Sequence, residues 1–195
     1  PQRAALLRDL QEMTRLITDL LESDRLATRH TALQREPVQL EVLAREVIAE
    51  VQAQRGAESG TAPTGLPTIT LNAAPNIPDL QLDPMRLRLL LRNLLDNALR
   101  HSADAAQAPQ LHIVPQASGQ GVMLQVRDFG SGVPEDHLPH LAQPFYRPDS
   151  ARTRSTGGVG LGLYLCKLVA LAHGGTFAVR NAQPGLLVEV VLPGT

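Results

Sequence analysis

The sequence predicts an α+β fold, a two-layer α/β sandwich with helices on one face of a sheet, preceded by a long N-terminal helix. Two patterns indicate this fold. Segments with helical periodicity alternate with short apolar runs joined by Gly-containing turns, which is typical of helices beside hairpin-linked strands. Ahead of them, apolar residues spaced 4, 3, 4 and 3 predict one helix over residues 2–28: Leu6, Leu10, Met13, Ile17 and Leu20. This stripe either packs on its own domain or pairs with a second helix.

The composition is that of a globular chain. Its 195 residues are 43% hydrophobic and 19% charged, with a net charge of -1, so no basic surface suggests a nucleic-acid partner. A single cysteine, Cys166, excludes an intrachain disulfide. No apolar run reaches about 18 residues, so we expect no membrane span within the chain. Because the chain begins with Pro1 rather than Met, we expect it to be a segment of a longer protein.

The remaining elements follow a polar stretch at 29–36, which indicates a hinge. Asp83 and Pro84 open the central helix, because Asp is a favoured N-cap residue and Pro fits the first helical position. Gly and Pro predict a loop at 56–67 and a long irregular segment at 128–160. The predicted strands are 37–40, 68–71, 80–82, 110–114, 122–126, 176–181 and 186–192, and the predicted helices are 41–55, 84–101 and 161–172.

Three polar residues share one face of the helix at 84–101. Asn93, Asn97 and Arg100 are spaced i, i+4 and i+7, away from a face of leucines. Asparagine is a poor helix former, so two of them in one stripe need a reason. Their amide oxygens suit Mg²⁺, and Arg100 suits a phosphate. Alternatively, the three residues form a solvated polar stripe.

A carboxylate followed by glycines stands at the end of a predicted strand. Residues 126–134 read Val-Arg-Asp-Phe-Gly-Ser-Gly-Val-Pro, and the acid is Asp128. Such a carboxylate can accept a hydrogen bond from an exocyclic amine, and the glycines let the backbone approach a flat ring. A plain strand-ending turn explains the same pattern. The Asp-Phe-Gly tripeptide does not indicate a protein kinase of the serine/threonine/tyrosine type, because the other motifs of that family are missing.

Glycines also lead into the last predicted helix. Residues 157–163 read Gly-Gly-Val-Gly-Leu-Gly-Leu, and backbone N–H groups at such a helix start can bind phosphate oxygens. No apolar strand immediately precedes them and no Gly-Lys-Ser/Thr occurs, so neither a Rossmann nor a Walker A site is indicated. Three arginines at 147–154 suggest a lid over an anionic ligand. His137 and His140 lack the further ligands of a zinc site.

Taken in this order, the motifs resemble those of the ATP-binding domain of bacterial two-component sensor histidine kinases. The resemblance covers about residues 37–194. It rests on four boxes: the N box at 93–102, the first glycine box at 128–132, the F box at 144–147 and the second glycine box at 158–163. Residues 3–30 are similar to the second helix of the family's dimerisation and phosphoacceptor hairpin. The resemblance implies the histidine kinase/gyrase/Hsp90-type ATPase fold.

The resemblance also implies a role for each site residue. Asn97 would hold Mg²⁺ with Asn93 assisting, and these two with Arg147 would form the catalytic set. Asp128 would bind the adenine amine. The implied set for binding Mg²⁺-ATP comprises Asn93, Asn97, Arg100, His101, Asp128, Gly130, Gly132, Tyr146, Arg147, Gly158, Val159, Gly160, Leu161, Gly162 and Leu163.

The activity implied by the resemblance is that of a protein-histidine kinase. Such an enzyme transfers the γ-phosphoryl group of ATP to a histidine of its dimerisation domain, for relay to an aspartate of a response regulator. No His-Glu/Asp-x-x-Thr/Asn-Pro pattern occurs here, so we expect the phosphoacceptor to lie outside this chain rather than at His30 or His101. The implied domains are the partial hairpin at 1–30, a hinge at 31–36 and the catalytic domain at 37–195.

The resemblance also implies a homodimer through the dimerisation helices. It further implies a cytoplasmic position within an inner-membrane sensor protein.

Two other classes of function stay open. One is another ATPase or serine kinase of the same superfamily, against which the F box and the heptad helix argue. The other is a degenerate signalling domain without ATP, against which intact Asn97, Asp128 and the glycines of the second box argue.

Overall fold

The computed structural model describes residues 10, 13–14, 17–18, 20–26, 32–59, 68–116, 121–148 and 159–194. The described residues before 27 are helical, and we call them the N-terminal helical segment. The strands are β1 (Glu36–Val38), β2 (Thr70–Ala73), β3 (Leu80–Leu82), β4 (Gln110–Pro115), β5 (Gly121–Arg127), β6 (Thr176–Asn181) and β7 (Leu186–Pro193). The helices are α1 (Leu40–Ser59), α2 (Pro84–His101), a 3₁₀ helix (Glu135–His140) and α3 (Gly162–Ala172).

Five strands form one sheet in the order β2-β4-β5-β7-β6. The β4–β5, β5–β7 and β6–β7 pairs are antiparallel, whereas β2 runs parallel to β4. Along β5, Val122, Leu124 and Val126 are buried and alternate with half-buried residues, because successive side chains of a strand point to opposite faces. One face of the sheet is therefore apolar. β1 and β3 pair separately as a two-stranded sheet.

The helices form the second layer, and α2 is the most deeply embedded in it. Its six buried leucines share one hydrophobic core with the buried valines of β5 and with Val169 of α3. Burial of these aliphatic side chains drives the packing of the helices on the sheet. The predicted two-layer α/β sandwich is confirmed. Within the described part of the chain, no helix is both long and apolar enough to cross a membrane.

Most predicted elements are present, and two differ in kind. α1 continues to Ser59, so the prediction of a loop from Gly56 was wrong; one helical glycine costs only about 1 kcal/mol, and the helix tolerates it. The irregular segment predicted at 128–160 contains the 3₁₀ helix, a turn too short to leave a periodic signal. The remaining residues of the predicted helix at 2–28 lie outside the described residues.

The start of α2 is held by two buried polar residues. Asp83 is the N-cap: its Oδ1 accepts from the Arg86 N–H at 3.1 Å, and its Oδ2 accepts from the Gln34 N–H at 3.1 Å. The Asp83 N–H donates to His173 Nε2 at 3.0 Å, and His173 Nδ1 lies 2.8 Å from the Val169 oxygen. Because Nε2 accepts, the proton of this neutral ring is on Nδ1, which donates to Val169. His173 thereby joins the end of α3 to the start of α2.

We expect acid to destabilise the fold through His173. Its pKa is lowered from the usual 6.5, chiefly because burial disfavours the charged ring. Near and below pH 6.5, the ring in the unfolded chain therefore binds a proton more readily than the ring in the folded chain. The free energy of unfolding is highest above this range and decreases as the pH falls through it. The melting temperature should therefore drop from about pH 7.5 to about pH 5.5, with a shallower drop in His173→Gln. The exposed His140, changed to Gln, serves as control and should keep the wild-type slope; a flat wild-type profile would contradict the assignment.

Candidate functional site

Asp128 directly follows β5 and is only 5% exposed. Its Oδ1 accepts two backbone hydrogen bonds, from the Gly130 N–H at 3.0 Å and from the Leu186 N–H at 3.1 Å. Its Oδ2 receives no hydrogen bond from the described residues. One carboxylate oxygen is thus fixed by the protein, while the other is left as an acceptor for a ligand. This arrangement favours the interpretation of Asp128 as an acceptor for a ligand's hydrogen-bond donor over its interpretation as part of a plain strand-ending turn.

Two glycines allow this close packing around Asp128. A Cβ on Gly185, which has a φ of +86°, would lie 2.0 Å from the Asp128 carbonyl oxygen. A Cβ on Gly130 would lie 2.7 Å from the carbonyl oxygen of His101, the last residue of α2. Real Cβ atoms do not approach backbone oxygens so closely, so neither position admits a side chain without a shift of the backbone. The loop after β5 therefore lies directly against α2 and against the β6–β7 turn.

The C-terminal end of α2 is bonded to the same loop through Ser102. This C-cap residue is 1% exposed, and its Oγ accepts from the Phe129 N–H at 2.9 Å. The residue falls inside the N box, but the sequence assigned it no role. Its Oγ joins the polar face of α2 to the loop that carries Asp128.

The polar face of α2 contains two asparagines in different surroundings. Asn93 is 7% exposed, and its Nδ2 donates to the Leu89 oxygen at 3.0 Å. Its Oδ1 lies against the start of α3, since a Cβ on Gly162 would come within 3.2 Å of it. Asn97, one turn later, is half-buried and makes no side-chain hydrogen bond to the described residues. Its amide is therefore available to a ligand, whereas that of Asn93 also packs α2 against α3.

The F box meets the second glycine box through the backbone. The Phe145 N–H donates to the Gly160 oxygen at 3.0 Å, and a Cβ on Gly160 would lie 2.8 Å from the Tyr146 oxygen. The Tyr146 hydroxyl lies 2.5 Å from His137 Nδ1, so the 3₁₀ helix is bonded to the F box. The residues on either side of the segment between the two boxes are therefore hydrogen-bonded to each other.

The remaining predicted residues differ in their burial. Leu161 is buried at the start of α3, Leu163 packs against the core, and Val159 is 37% exposed. Arg100 and Arg147 are half-buried, and His101 is exposed. Gly158 of the second glycine box and residues 149–154 of the predicted lid lie outside the described residues.

Two open clefts lie beside the F box and beside the loop after β5. One of about 240 Å³ separates the N-terminal helical segment from Phe145, Leu161 and Tyr164. The other, of about 190 Å³, lies between the loop at 131–133 and the β6–β7 turn. Neither of these two clefts is lined by Asn97 or Asp128.

Comparison with known proteins gives consistent matches. Residues 82–195, more than half of the chain, match the family described as Histidine kinase-, DNA gyrase B-, and HSP90-like ATPase. The alginate biosynthesis sensor protein KinB of Pseudomonas aeruginosa is 38% identical over 118 residues, 60% of this chain and 18% of that protein. The phosphate regulon sensor protein PhoR of the same species is 33% identical over 174 residues, 86% of this chain and 37% of that protein.

A solved structure extends the similarity to the whole chain. Full-length ShkA in complex with AMPPNP superposes with a TM-score of 0.78 and 26% identity, covering 100% of this chain and 38% of that one. The chain spans less than two-fifths of the length of these relatives.

Ser102→Ala should destabilise the protein, because it leaves the buried Phe129 N–H without an acceptor. We expect a loss of about 1–3 kcal/mol in the free energy of unfolding, measured by urea denaturation with an unchanged slope. Ser131→Ala, which removes an exposed hydroxyl from the same loop, is the matched control and should stay within about 0.5 kcal/mol of wild type. Equal stabilities for the two variants would exclude the role given to Ser102.

Proposed function

The chain belongs to the histidine kinase-, DNA gyrase B- and HSP90-like ATPase family, and on this premise we propose that it is the ATP-binding catalytic region of a sensor histidine kinase. It donates the γ-phosphoryl group of ATP to a histidine of the dimerisation domain, for relay to an aspartate of a response regulator. The observation that carries the proposal is the Asp128 carboxylate, which is held through Oδ1 by two backbone N–H groups, while its Oδ2 has no partner among the described residues. Relatives named as sensor proteins support the kinase class.

Asp128 is suited to recognise adenine. A carboxylate accepts hydrogen bonds only, and the exocyclic amine of adenine is a donor. Because Oδ1 is already engaged, the amine would meet Oδ2, and the fixed carboxylate would lose little freedom on binding. The two glycines of the loop hold it beside Asp128, because a Cβ would lie 2.7 Å from the His101 oxygen at Gly130 and 2.8 Å from Asn181 Oδ1 at Gly132.

The polar face of α2 and the start of α3 are suited to the phosphates and Mg²⁺. The Asn97 amide offers an uncharged oxygen ligand of the kind that Mg²⁺ accepts, and Asn93 Oδ1 lies nearby, facing Gly162. Among the described residues, the N-cap Leu161 makes no side-chain hydrogen bond to the start of α3, so the first backbone N–H groups of this helix could bind phosphate oxygens. Bound Mg²⁺ would supply neutralisation of phosphate charge, while these residues orient the phosphates.

Arg100, His101 and Arg147 complete the proposed site. Arg100 and His101 lie in the last turn of α2, beyond Asn97. The Arg100 guanidinium would form charge-assisted hydrogen bonds with phosphate oxygens there. Arg147 is the last residue of the F box and would act on the γ-phosphate or couple the lid to the dimerisation helices. The predicted lid at 147–154, with its three arginines, would close over the nucleotide.

Domain organisation and partners follow as part of the same proposal. Residues 1–30 are the second helix of the dimerisation hairpin, 31–36 the hinge and 37–195 the catalytic domain. Along the helical segment, Leu10, Met13, Ile17 and Leu20 are each more than half exposed, which supports pairing with another helix. The partners are then a second copy of the full-length protein and a response regulator, in the cytoplasmic part of an inner-membrane sensor.

Asp128→Asn should weaken nucleotide binding. The amide oxygen of Asn can still accept from the backbone of Gly130 and Leu186, which leaves its NH₂ group facing the adenine amine, donor against donor. We expect the Kd for Mg²⁺-ATP, measured by calorimetry, to rise about ten- to a hundredfold. Asp136→Asn, on the exposed side of the 3₁₀ helix, is the control and should bind as wild type does. An unchanged Kd in Asp128→Asn would remove Asp128 from the site.

Asn97→Ala should impair phosphoryl transfer without unfolding the protein, because this side chain is half-buried and lacks a partner among the described residues. With radiolabelled ATP and a separately supplied hairpin carrying the acceptor histidine, we expect transfer to fall at least about tenfold. The melting temperature should match that of wild type, and Asn72→Ala on the exposed edge of β2 should transfer normally. Unfolding of Asn97→Ala would show that Asn97 is structural instead.

A further inference from the structure

Asn181 lies at the end of β6, the edge strand of the sheet, and belongs to none of the four boxes. Its Oδ1 accepts from the Val133 N–H at 3.1 Å, and its Nδ2 donates to the Val133 oxygen at 2.8 Å. Nδ2 also donates to Glu135 Oε1 at 3.0 Å. One side chain thus bonds both main-chain groups of Val133, as a neighbouring strand would.

This contact needs a glycine in the first glycine box. Gly132 has a φ of +68°, and a Cβ there would lie 2.8 Å from Asn181 Oδ1. Any side chain at that position would therefore both strain the backbone and displace the amide of Asn181. The position of Asn181 gives a reason for the glycine that is independent of the approach of a ligand.

The β6–β7 turn holds the other end of the same loop. The Leu186 N–H donates to Asp128 Oδ1 at 3.1 Å, and the Asp128 N–H donates to the Leu186 oxygen at 3.0 Å. Between Asn181 and Leu186 the turn is closed by the Ala182 N–H, which donates to the Gly185 oxygen at 2.8 Å. One turn therefore holds the loop at Asp128 and at Val133, on either side of its two glycines.

We propose that Asn181 is a positioning residue for nucleotide binding, which holds the loop after Asp128 in the conformation that receives the adenine ring without contacting the nucleotide. This inference rests on the function proposed above and deepens it. The directions of these hydrogen bonds require an amide side chain at position 181, because it both accepts and donates. An aspartate at 181 would still accept from Val133 N–H, but it would set an acceptor against the Val133 oxygen and a charge against Glu135.

Affinity for Mg²⁺-AMPPNP, measured by calorimetry on the 195-residue chain, tests the proposal. Asn181→Ala and Asn181→Asp should each raise the Kd about tenfold, the equivalent of a lost hydrogen bond of this kind. Amide exchange at 130–135 should accelerate in both variants, without acceleration in the core strands. Arg180→Ala, one residue earlier on the same strand, removes an exposed ion pair with Glu189 and should leave both readouts unchanged.

A second-site change separates positioning from a general loss of structure. Glu135→Gln should bind AMPPNP normally by itself, because its amide oxygen can accept from Asn181. In the Asn181→Asp background it should recover part of the affinity, because the Gln amide nitrogen can donate to the new carboxylate. Wild-type affinity in Asn181→Ala, or an equal loss in Arg180→Ala, would overturn the proposal. Failure of the wild-type chain to bind AMPPNP would overturn the proposed function, and with it the role of Asn181.

Discussion

The hydrogen bonds at the two ends of α2 fix the helix on which the candidate site depends. At its start, Asp83 caps the helix and is bonded to the ring of His173, which ties the end of α3 to the same point. At its end, Ser102 accepts from Phe129 and so fixes the loop that carries Asp128. With both ends held and six leucines buried between them, the polar face of α2 can turn neither into the core nor toward solvent. The asparagines therefore keep a constant position relative to Asp128.

Among the described residues, the Asp128 carboxylate is bonded by backbone N–H groups and forms no ion pair. Its neighbour Arg127 turns away: the guanidinium donates to the Ala182 oxygen at 2.9 Å and lies 4.7 Å from the centre of the Phe129 ring. A carboxylate paired with an arginine would have both oxygens engaged by strong donors. Held by N–H groups through one oxygen only, Asp128 stays a good acceptor for a neutral amine.

What the sequence predicted well was local. The bounds of α2 followed from Asp83, Pro84 and the leucine pattern, because capping and periodicity act within a few residues. Asp128 and its glycines were identified as a candidate site for the same reason, since the pattern that marks them lies within five positions. The predicted end of α1 was wrong because Gly56 has a low helix propensity and so indicated a loop, whereas the helix continues through it to Ser59.

What the sequence could not predict was contact between distant segments. The parallel pairing of β2 with β4, the bond from His173 to Asp83 across 90 positions and the bond from Asn181 to Val133 across 48 leave no pattern in a single chain. The Phe145–Gly160 contact is also of this kind. Because the ends of the intervening segment are already joined, inserted residues lengthen a closed loop, and each doubling of its length costs only about 0.6 kcal/mol. Phe145 and Gly160 can therefore keep their positions relative to each other when the number of residues between them changes.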